Sequence, residues 1–520
     1  MERYELIVVG AGPAGLSAAI EAAKAGMKTV VFDENAKPGG QLFKQIHKFF
    51  GSKEHKAKIR GYNIGETLLR EAETCGVEVV LNATVAGVYE GRELTVMQGD
   101  SIKHFKGDSI VVATGASENM VTFPGWTLPG VIGAGAAQTM MNLHGIKPGS
   151  RVLMLGTGNV GLVVSYQLLQ AGCEVVALVD ASKKIGGYGV HAAKVARTGV
   201  PFYLSHTIVA VHGEDCVKGV TIGEVDAAWQ VIPGSEKTFD VDTVCLAVGL
   251  SPMAQLVKSA GCEMNGIVPA VDAYGATSVP GIYAAGDVSG IEEASSAMIE
   301  GRIAGAAAAY QAGYLEKSDF ESIVTAHEAS LGSLREGMFG PKQRGRVQTV
   351  TEEGIVLSQS LLTKGYLDES DLAHFPSIQH GKTGVYPVIE CTQNIPCNPC
   401  QDACVKGCIL IGNDITSLPV INAEATCTGC GMCVASCSGQ AIFLVEEKPL
   451  ESTAYVSFPY EFLPLPEKGD RGIALDRSGA PICDAEITAV RTGKAMDQTH
   501  VVTMKVPLDY ASTARFFRRR

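Results

Sequence analysis

The 520-residue sequence predicts an α/β protein of several domains, with two β-turn-α-β units followed by a cysteine-rich segment and a small β domain. Three observations predict it. The run Glu5-Leu-Ile-Val-Val9 leads into Gly10, Gly12 and Gly15, a strand that turns on glycines into a helix. The pattern returns further along, where Gly156, Gly158, Gly161 and Gly172 repeat the spacing of Gly10, Gly12, Gly15 and Gly26 under one common offset. Nine of the 15 cysteines then crowd between Cys391 and Cys437.

Composition narrows the class. With 46% hydrophobic and 19% charged residues the chain can bury large cores, which excludes a disordered tail. A net charge of -12 disfavours nucleic acid as a partner, and the one basic cluster is Arg515 with Arg518, Arg519 and Arg520. The 60 glycines follow no collagen period, so they are expected in tight turns and beside ligands. No apolar run long enough to span a bilayer and no charged leader before an apolar stretch is present, so a cytoplasmic chain without a membrane span is expected. Bunched cysteines suit metal ligation in such a reducing compartment.

In the first unit, Gly10 permits the turn, Gly12 lets backbone approach a pyrophosphate, and Gly15 lets the helix pack on the strand. Pro13 and Ala14 open the helix, whose N-terminus favours phosphate. Asp33, at the end of Thr29-Val-Val-Phe32, stands where the acid of a dinucleotide fingerprint follows its glycines. It is expected to accept hydrogen bonds from a ribose diol, with Glu34 beside it. Short β-rich runs over 77–112 end at Ala113-Thr114-Gly115. Gly281–Ala285 then meets Gly286-Asp287 and an alanine-rich helix, as if the first dinucleotide fold were interrupted and resumed. The interruption carries the second glycine set, and Asp180 holds the corresponding place after Gly161. An acidic residue there favours NAD over NADP, although an adenine nucleotide without a redox role, or none, also fits.

Ala113-Thr-Gly-Ala116 and Ala285-Gly-Asp287 resemble the second and third signatures of two-dinucleotide-binding-domain flavoproteins, in which the aspartate contacts the flavin ribityl chain. Pro38-Gly39-Gly40-Gln41-Leu42 resembles the flavin-side loop of thioredoxin-reductase-like enzymes. The resemblance implies FAD at the first site. Phe123-Pro-Gly-Trp-Thr-Leu-Pro-Gly-Val131, followed by Gly133-Ala-Gly-Ala-Ala-Gln138, is similar to the FAD-bearing alpha subunits of sarcosine oxidase, opine oxidase, hydrogen cyanide synthase and proline or hydroxyproline dehydrogenases. That family implies a hetero-oligomer whose partner, an FAD-containing subunit like D-amino-acid oxidase, oxidises the amine, with a small further subunit in some members.

Cys427, Cys430, Cys433 and Cys437 match the bacterial ferredoxin run for a 4Fe-4S cluster. A 33-residue repeat carries Cys430, Cys433 and Cys437 back onto Cys397, Cys400 and Cys404, and Ile442 onto Ile409. Cys408 then aligns with Ala441 and reads as a spare thiol. Asn394 aligns with Cys427 and cannot serve as a thiolate, so Cys391 is its substitute. By the crossover habit of two-cluster ferredoxins, one cluster takes Cys391, Cys397, Cys400 and Cys437, and the other Cys427, Cys430, Cys433 and Cys404. A local set of Cys397, Cys400, Cys404 and Cys408 is the competing assignment.

The expected organisation is an FAD domain at 1–115 and 270–330, an inserted NAD-like domain at 116–269, a linker at 331–385, a ferredoxin-like domain at 386–448 and a β domain at 449–520. Flavin with two clusters reads as an electron-transfer oxidoreductase, the alpha subunit of an amine or amino-acid dehydrogenase. A self-contained NADH:acceptor oxidoreductase and a non-catalytic scaffold are the alternatives. No Cys-x-x-Cys pair precedes Cys397, which argues against disulfide reduction. No catalytic acid or base is assigned, and His47 reads as a loop histidine.

Overall fold

Strand Glu2–Val9 is fully buried from Leu6 to Val8, as a strand covered on both faces must be. In the computed structural model, which describes residues 1–337, 339, 358–375, 377–378 and 381–520, the chain divides into two units. One comprises Met1–Asn119 with Leu250–Val350, the other Met120–Gly249 with Thr351–Arg520.

In the first unit a sheet runs in the order Glu78–Val80, Thr29–Phe32, Glu2–Val9, Ser101–Val112, Glu93–Gln98, Thr84–Tyr89. Its first four strands are parallel, and Ile282–Ala284 also joins Ser101–Val112 in parallel. The resumed strand thus returns to the first sheet, as the sequence implies. Helix Pro13–Lys24 packs against helix Ala294–Gln311 so closely that a Cβ on Gly301 would lie 2.1 Å from the Ala14 carbonyl oxygen, and one on Gly305 2.2 Å from that of Ala18. Backbone meets backbone there. Residues 250–269, expected within the inserted domain, belong instead to this unit. Leu250–Pro252 pairs with Ala116–Glu118, Thr114 Oγ1 donates to the Met253 carbonyl at 2.7 Å, and Val257 and Cys262 fill the core beside Val88 and Ile110.

The second unit starts from a parallel sheet in the order Phe202–Leu204, Glu174–Asp180, Arg151–Leu155, Thr243–Leu246, Val131–Gly133. Three antiparallel strands over 206–240 lie beside it in sequence. The C-terminal part is one antiparallel sheet of seven strands, ordered Val385–Ile389, Ile442–Lys448, Thr453–Tyr460, His500–Pro507, Pro481–Arg491, Arg471–Leu475, Phe516–Arg519. The expected boundary at 448/449 therefore falls inside a sheet: the strands that flank the cysteine segment continue into the C-terminal strands through a shared apolar core. The expected linker at 331–385 lies partly outside the described residues. Helix Gln359–Lys364 within it sends Leu361 into that core.

The cysteine segment keeps its internal repeat. Helices Pro399–Ala403 and Met432–Ser436 are related by the same offset as the strand starts Ile409 and Ile442. Of the terminal arginines, Arg515 is fully buried against Glu390, while Arg519 and Arg520 pair with Asp470 and Asp484 at the surface.

The helix contact makes a testable demand. Gly301→Ala should destabilise the first unit by about 1–3 kcal/mol, since the added carbon can only be accommodated by backbone displacement. A lower urea midpoint is the expected measurement; an unchanged one would mean that the two helices can separate freely.

Candidate functional site

Gly10 adopts φ +104°, and a Cβ there would sit 2.4 Å from the Ala113 carbonyl oxygen. A Cβ on Gly15 would meet the Gly10 carbonyl oxygen at 1.8 Å. Gly12 differs: nothing lies within 4 Å of its Cβ position, so the space in front of the helix start is open. Gly12 is the N-cap and supplies no side-chain cap, Pro13 occupies the first turn, and the N–H groups that follow face that space as an anion cradle would require.

The other expected flavin residues gather round this cradle. Gly39 N–H donates to the Ala11 carbonyl at 2.7 Å, and a Cβ on Gly40 would lie 2.9 Å from Gly12 Cα, so Gly40 and Gln41 border the glycine turn. Ala113 N–H donates to Val9 O at 2.8 Å, which sets Ala113, Thr114 and Gly115 beside Gly10. A Cβ on Gly286 would lie 2.8 Å from that of Ala14, which brings Asp287 to the helix start. The residues fit a dinucleotide. Sequence reasoning missed the support beneath Gly286: its N–H donates to Glu300 Oε2 at 3.1 Å, and Arg335 holds the other oxygen at 2.5 Å. The available signal was one acid at the buried side of an alanine-rich helix. His47 stacks on Phe49 at 5.7 Å, as a loop histidine does.

Asp33 lies against the glycine turn at the end of its strand. Oδ2 accepts from Ala11 N–H at 2.6 Å, and Oδ1 accepts from Asn35 N–H and Nδ2 at 2.8 and 2.9 Å. The carboxylate clamps the glycine turn. Glu34 stands next to it, exposed.

The second glycine set reproduces the first. A Cβ on Gly156 would lie 2.2 Å from Ala247 O and one on Gly161 2.1 Å from Gly156 O, while Gly158 again faces open space. Asp180 Oδ2 accepts from Thr157 N–H at 2.8 Å and from its hydroxyl at 2.6 Å, and Oδ1 accepts from Ser182 N–H at 2.8 Å. Both oxygens thus hold the turn, and the carboxylate keeps its place at the end of the strand. Ala181 stands where the first site has Glu34, and Lys183 and Lys184 follow, exposed.

The cysteines form two groups. Cys404, from the upstream run, joins Cys427, Cys430 and Cys433 around a small pocket that Pro387, Ile409 and Leu444 also line. Cys391, Cys400 and Cys437 stand within mutual electrostatic reach; burial and the neighbouring Cys437 push the Cys400 thiol up to about 12, and burial with Cys437 and Cys400 pushes Cys391 up as well. Backbone N–H groups point at sulfur: Cys408 N–H at Cys404 Sγ (3.2 Å), Gly429 N–H at Cys427 Sγ (3.3 Å) and Ala441 N–H at Cys437 Sγ (3.4 Å). Cys408 and Ala441, equivalent positions of the repeat, do the same work through their backbones, although the Cys408 thiol also lines the pocket. No group of three or more His, Cys, Asp or Glu side chains is arranged for a single metal ion among the described residues.

A family model described as pyridine nucleotide-disulphide oxidoreductase matches residues 4–313. The A subunit of opine oxidase from Rhizobium meliloti is 32% identical over 334 residues, covering 59% of this chain and 62% of the relative, so the match spans less than two thirds of that protein. The HcnB subunit of hydrogen cyanide synthase from Pseudomonas aeruginosa is 26% identical over 396 residues, covering 70% of this chain and 84% of the relative. Among solved structures, thioredoxin reductase of Lactococcus lactis is 22% identical with a TM-score of 0.51, covering 60% of this chain and all (100%) of that one, a likeness of fold.

Gly12 separates folding from flavin binding. Its φ of -78° and ψ of -174° suit any residue, so Gly12→Val should fold and keep its circular dichroism but purify without flavin absorbance. A yellow Gly12→Val protein would show that the open space is not the phosphate cradle.

Proposed function

The chain belongs to the pyridine nucleotide-disulphide oxidoreductase family and is an FAD-dependent oxidoreductase; on that premise we propose that it is the flavin- and iron-sulfur-bearing alpha subunit of a multi-subunit amine or amino-acid dehydrogenase. The observation that carries this reading is the exchange of a ligand between the cysteine runs, with Cys404 beside Cys427, Cys430 and Cys433 while Cys437 stands with Cys391 and Cys400. That is the crossover of a two-cluster ferredoxin. Disulfide reduction, which the family name includes, lacks its thiols here: Cys75, Cys173, Cys216, Cys245 and Cys262 are single and far apart in sequence.

In this reading FAD, when bound, takes up an electron pair and two 4Fe-4S clusters relay single electrons. The helix-start N–H groups after Gly12 hold the pyrophosphate, Asp33 with Glu34 beside it meets the ribose and Asp287 the ribityl chain. Cys391, Cys397, Cys400 and Cys437 hold one cluster, and Cys404, Cys427, Cys430 and Cys433 the other. The turn at Gly156, Gly158 and Gly161 takes an adenine nucleotide, NAD or one without a redox role. The amine, of the proline, hydroxyproline, sarcosine or D-amino-acid type, is oxidised on a second, FAD-containing subunit. The names of the relatives, subunits of opine oxidase and of hydrogen cyanide synthase, support membership in such an assembly. No described helix is long and apolar enough to cross a membrane.

Anaerobically purified chain should contain one FAD and about 8 iron, four for each of two clusters. Cys391→Ser should lose or convert one cluster, whereas Cys408→Ser should keep both; the reverse pattern would refute the 33-residue register.

The isolated chain should be inert toward amines with artificial acceptors, and substrate should bleach its clusters only after reconstitution with the partner. Turnover by the chain alone would overturn the multi-subunit reading.

A further inference from the structure

Arg197 ends helix Gly189–Ala196 of the nucleotide-binding part of its unit, yet its guanidinium is buried among residues that follow Cys437. Nη1 donates to the Gln440 carbonyl at 2.9 Å and Nη2 to Gln440 Oε1 at 3.2 Å, an oxygen that also accepts from the Tyr166 hydroxyl at 2.8 Å. Gln440 itself adopts φ +53°, unusual for a residue with a side chain, and its N–H bonds to Cys437 O at 3.1 Å. Arg197 therefore holds the turn whose next residue, Ala441, directs its N–H at Cys437 Sγ. Its Nε has no hydrogen-bond partner and is buried.

A second and a third arginine stand near. Arg515 and Arg477 both bond Glu390, the residue before Cys391, at 2.6 Å. Arg197 and Arg515 lie over the same Phe443 ring, 5.5 and 5.0 Å from its centroid, and Arg515 Nη2 is also buried without a partner. Arg477 and Arg515 thus pair with one buried carboxylate, and Arg197 lies within electrostatic reach of it. Glu461, the other acid within reach of Arg197, is half-buried and accepts from Thr499 and Gln170. Unpaired buried cations are costly unless an anion faces them.

Resting on the cluster reading above, we propose that Arg197 is the residue that makes the cluster at Cys391, Cys397, Cys400 and Cys437 the easier of the two to reduce. It does so by setting the Cys437 turn and by facing the cluster with a fixed positive charge. A cubane with four thiolates carries roughly -2 when oxidised and -3 when reduced, so a nearby cation stabilises the reduced state and raises the potential. Burial alone acts the other way. The pocket at Cys404, Cys427, Cys430 and Cys433 gives its cluster more solvent, with Cys430 exposed, and none of the described interactions of Arg197 reaches it.

The test is a redox titration of full-length protein followed by EPR, with Arg197→Gln and Arg197→Lys beside the wild type. Arg197→Gln should lower the potential of the higher-potential signal alone, by the order of a tenfold change in its equilibrium constant, about 59 mV for one electron. Arg197→Lys, which keeps the charge but not the fork, should fall between. Two intact signals that both stay put, or move together, would overturn the proposal while leaving the clusters established. A wild type without iron would overturn the cluster reading and this proposal with it. Should Arg197→Gln fail to fold, Cys391→Ser decides: loss of the higher-potential signal supports the assignment and loss of the lower one refutes it.

Discussion

Backbone lying directly on backbone is the constraint on which both nucleotide folds depend. The turn at Gly10 rests on the carbonyl of Ala113, Gly15 on that of Gly10, and the long helix crosses Pro13–Lys24 at Gly301 and Gly305. Any Cβ at these points would overlap a carbonyl oxygen. The second fold repeats the arrangement with Gly156 on Ala247 and Gly161 on Gly156. Because these contacts fix where each helix begins, they also fix where its unpaired N–H groups point, and the glycine without a contact, Gly12 or Gly158, marks the open side. Packing and binding are thus two results of one set of small residues.

The acids at the ends of the second strands complete that device. Asp33 and Asp180 each spend both oxygens on N–H groups of their own turn and of the residues just after the strand. A carboxylate bonded in this way stiffens the loop that carries the residues after it. Those residues differ: Glu34 at the first loop, Ala181 followed by two lysines at the second.

In the C-terminal part, one sheet supports both the cysteines and the strands that follow them. Val385–Ile389 and Ile442–Lys448 pair directly across the base of the cysteine segment, so the two cysteine groups are anchored by hydrogen bonds of the same ladder. The extra strands add the core that so short a segment could not bury alone. They also carry Arg477 and Arg515 to Glu390, beside the first cysteine.

Much of this was legible in the residue order, because glycine spacing, the 33-residue cysteine register and the return of the chain at Gly281 are local patterns that backbone geometry obeys wherever they occur. The repeat of short helices at Pro399–Ala403 and Met432–Ser436 and the pairing of Ile282–Ala284 with Ser101–Val112 follow from them. Other features depend on which distant groups meet. Residues 250–269 joined the first unit because Leu250–Pro252 found Ala116–Glu118, the boundary at 448/449 vanished into a shared sheet, and Asp33 took the Ala11 N–H of its own turn. Arg515, one of four terminal arginines in the sequence, was buried against Glu390 only once the chain ahead of Phe516–Arg519 was laid against Leu475. Sequence determined the loops, since their chemistry is set by neighbours in the chain; tertiary structure decided the charges, since burial and partners exist only after folding.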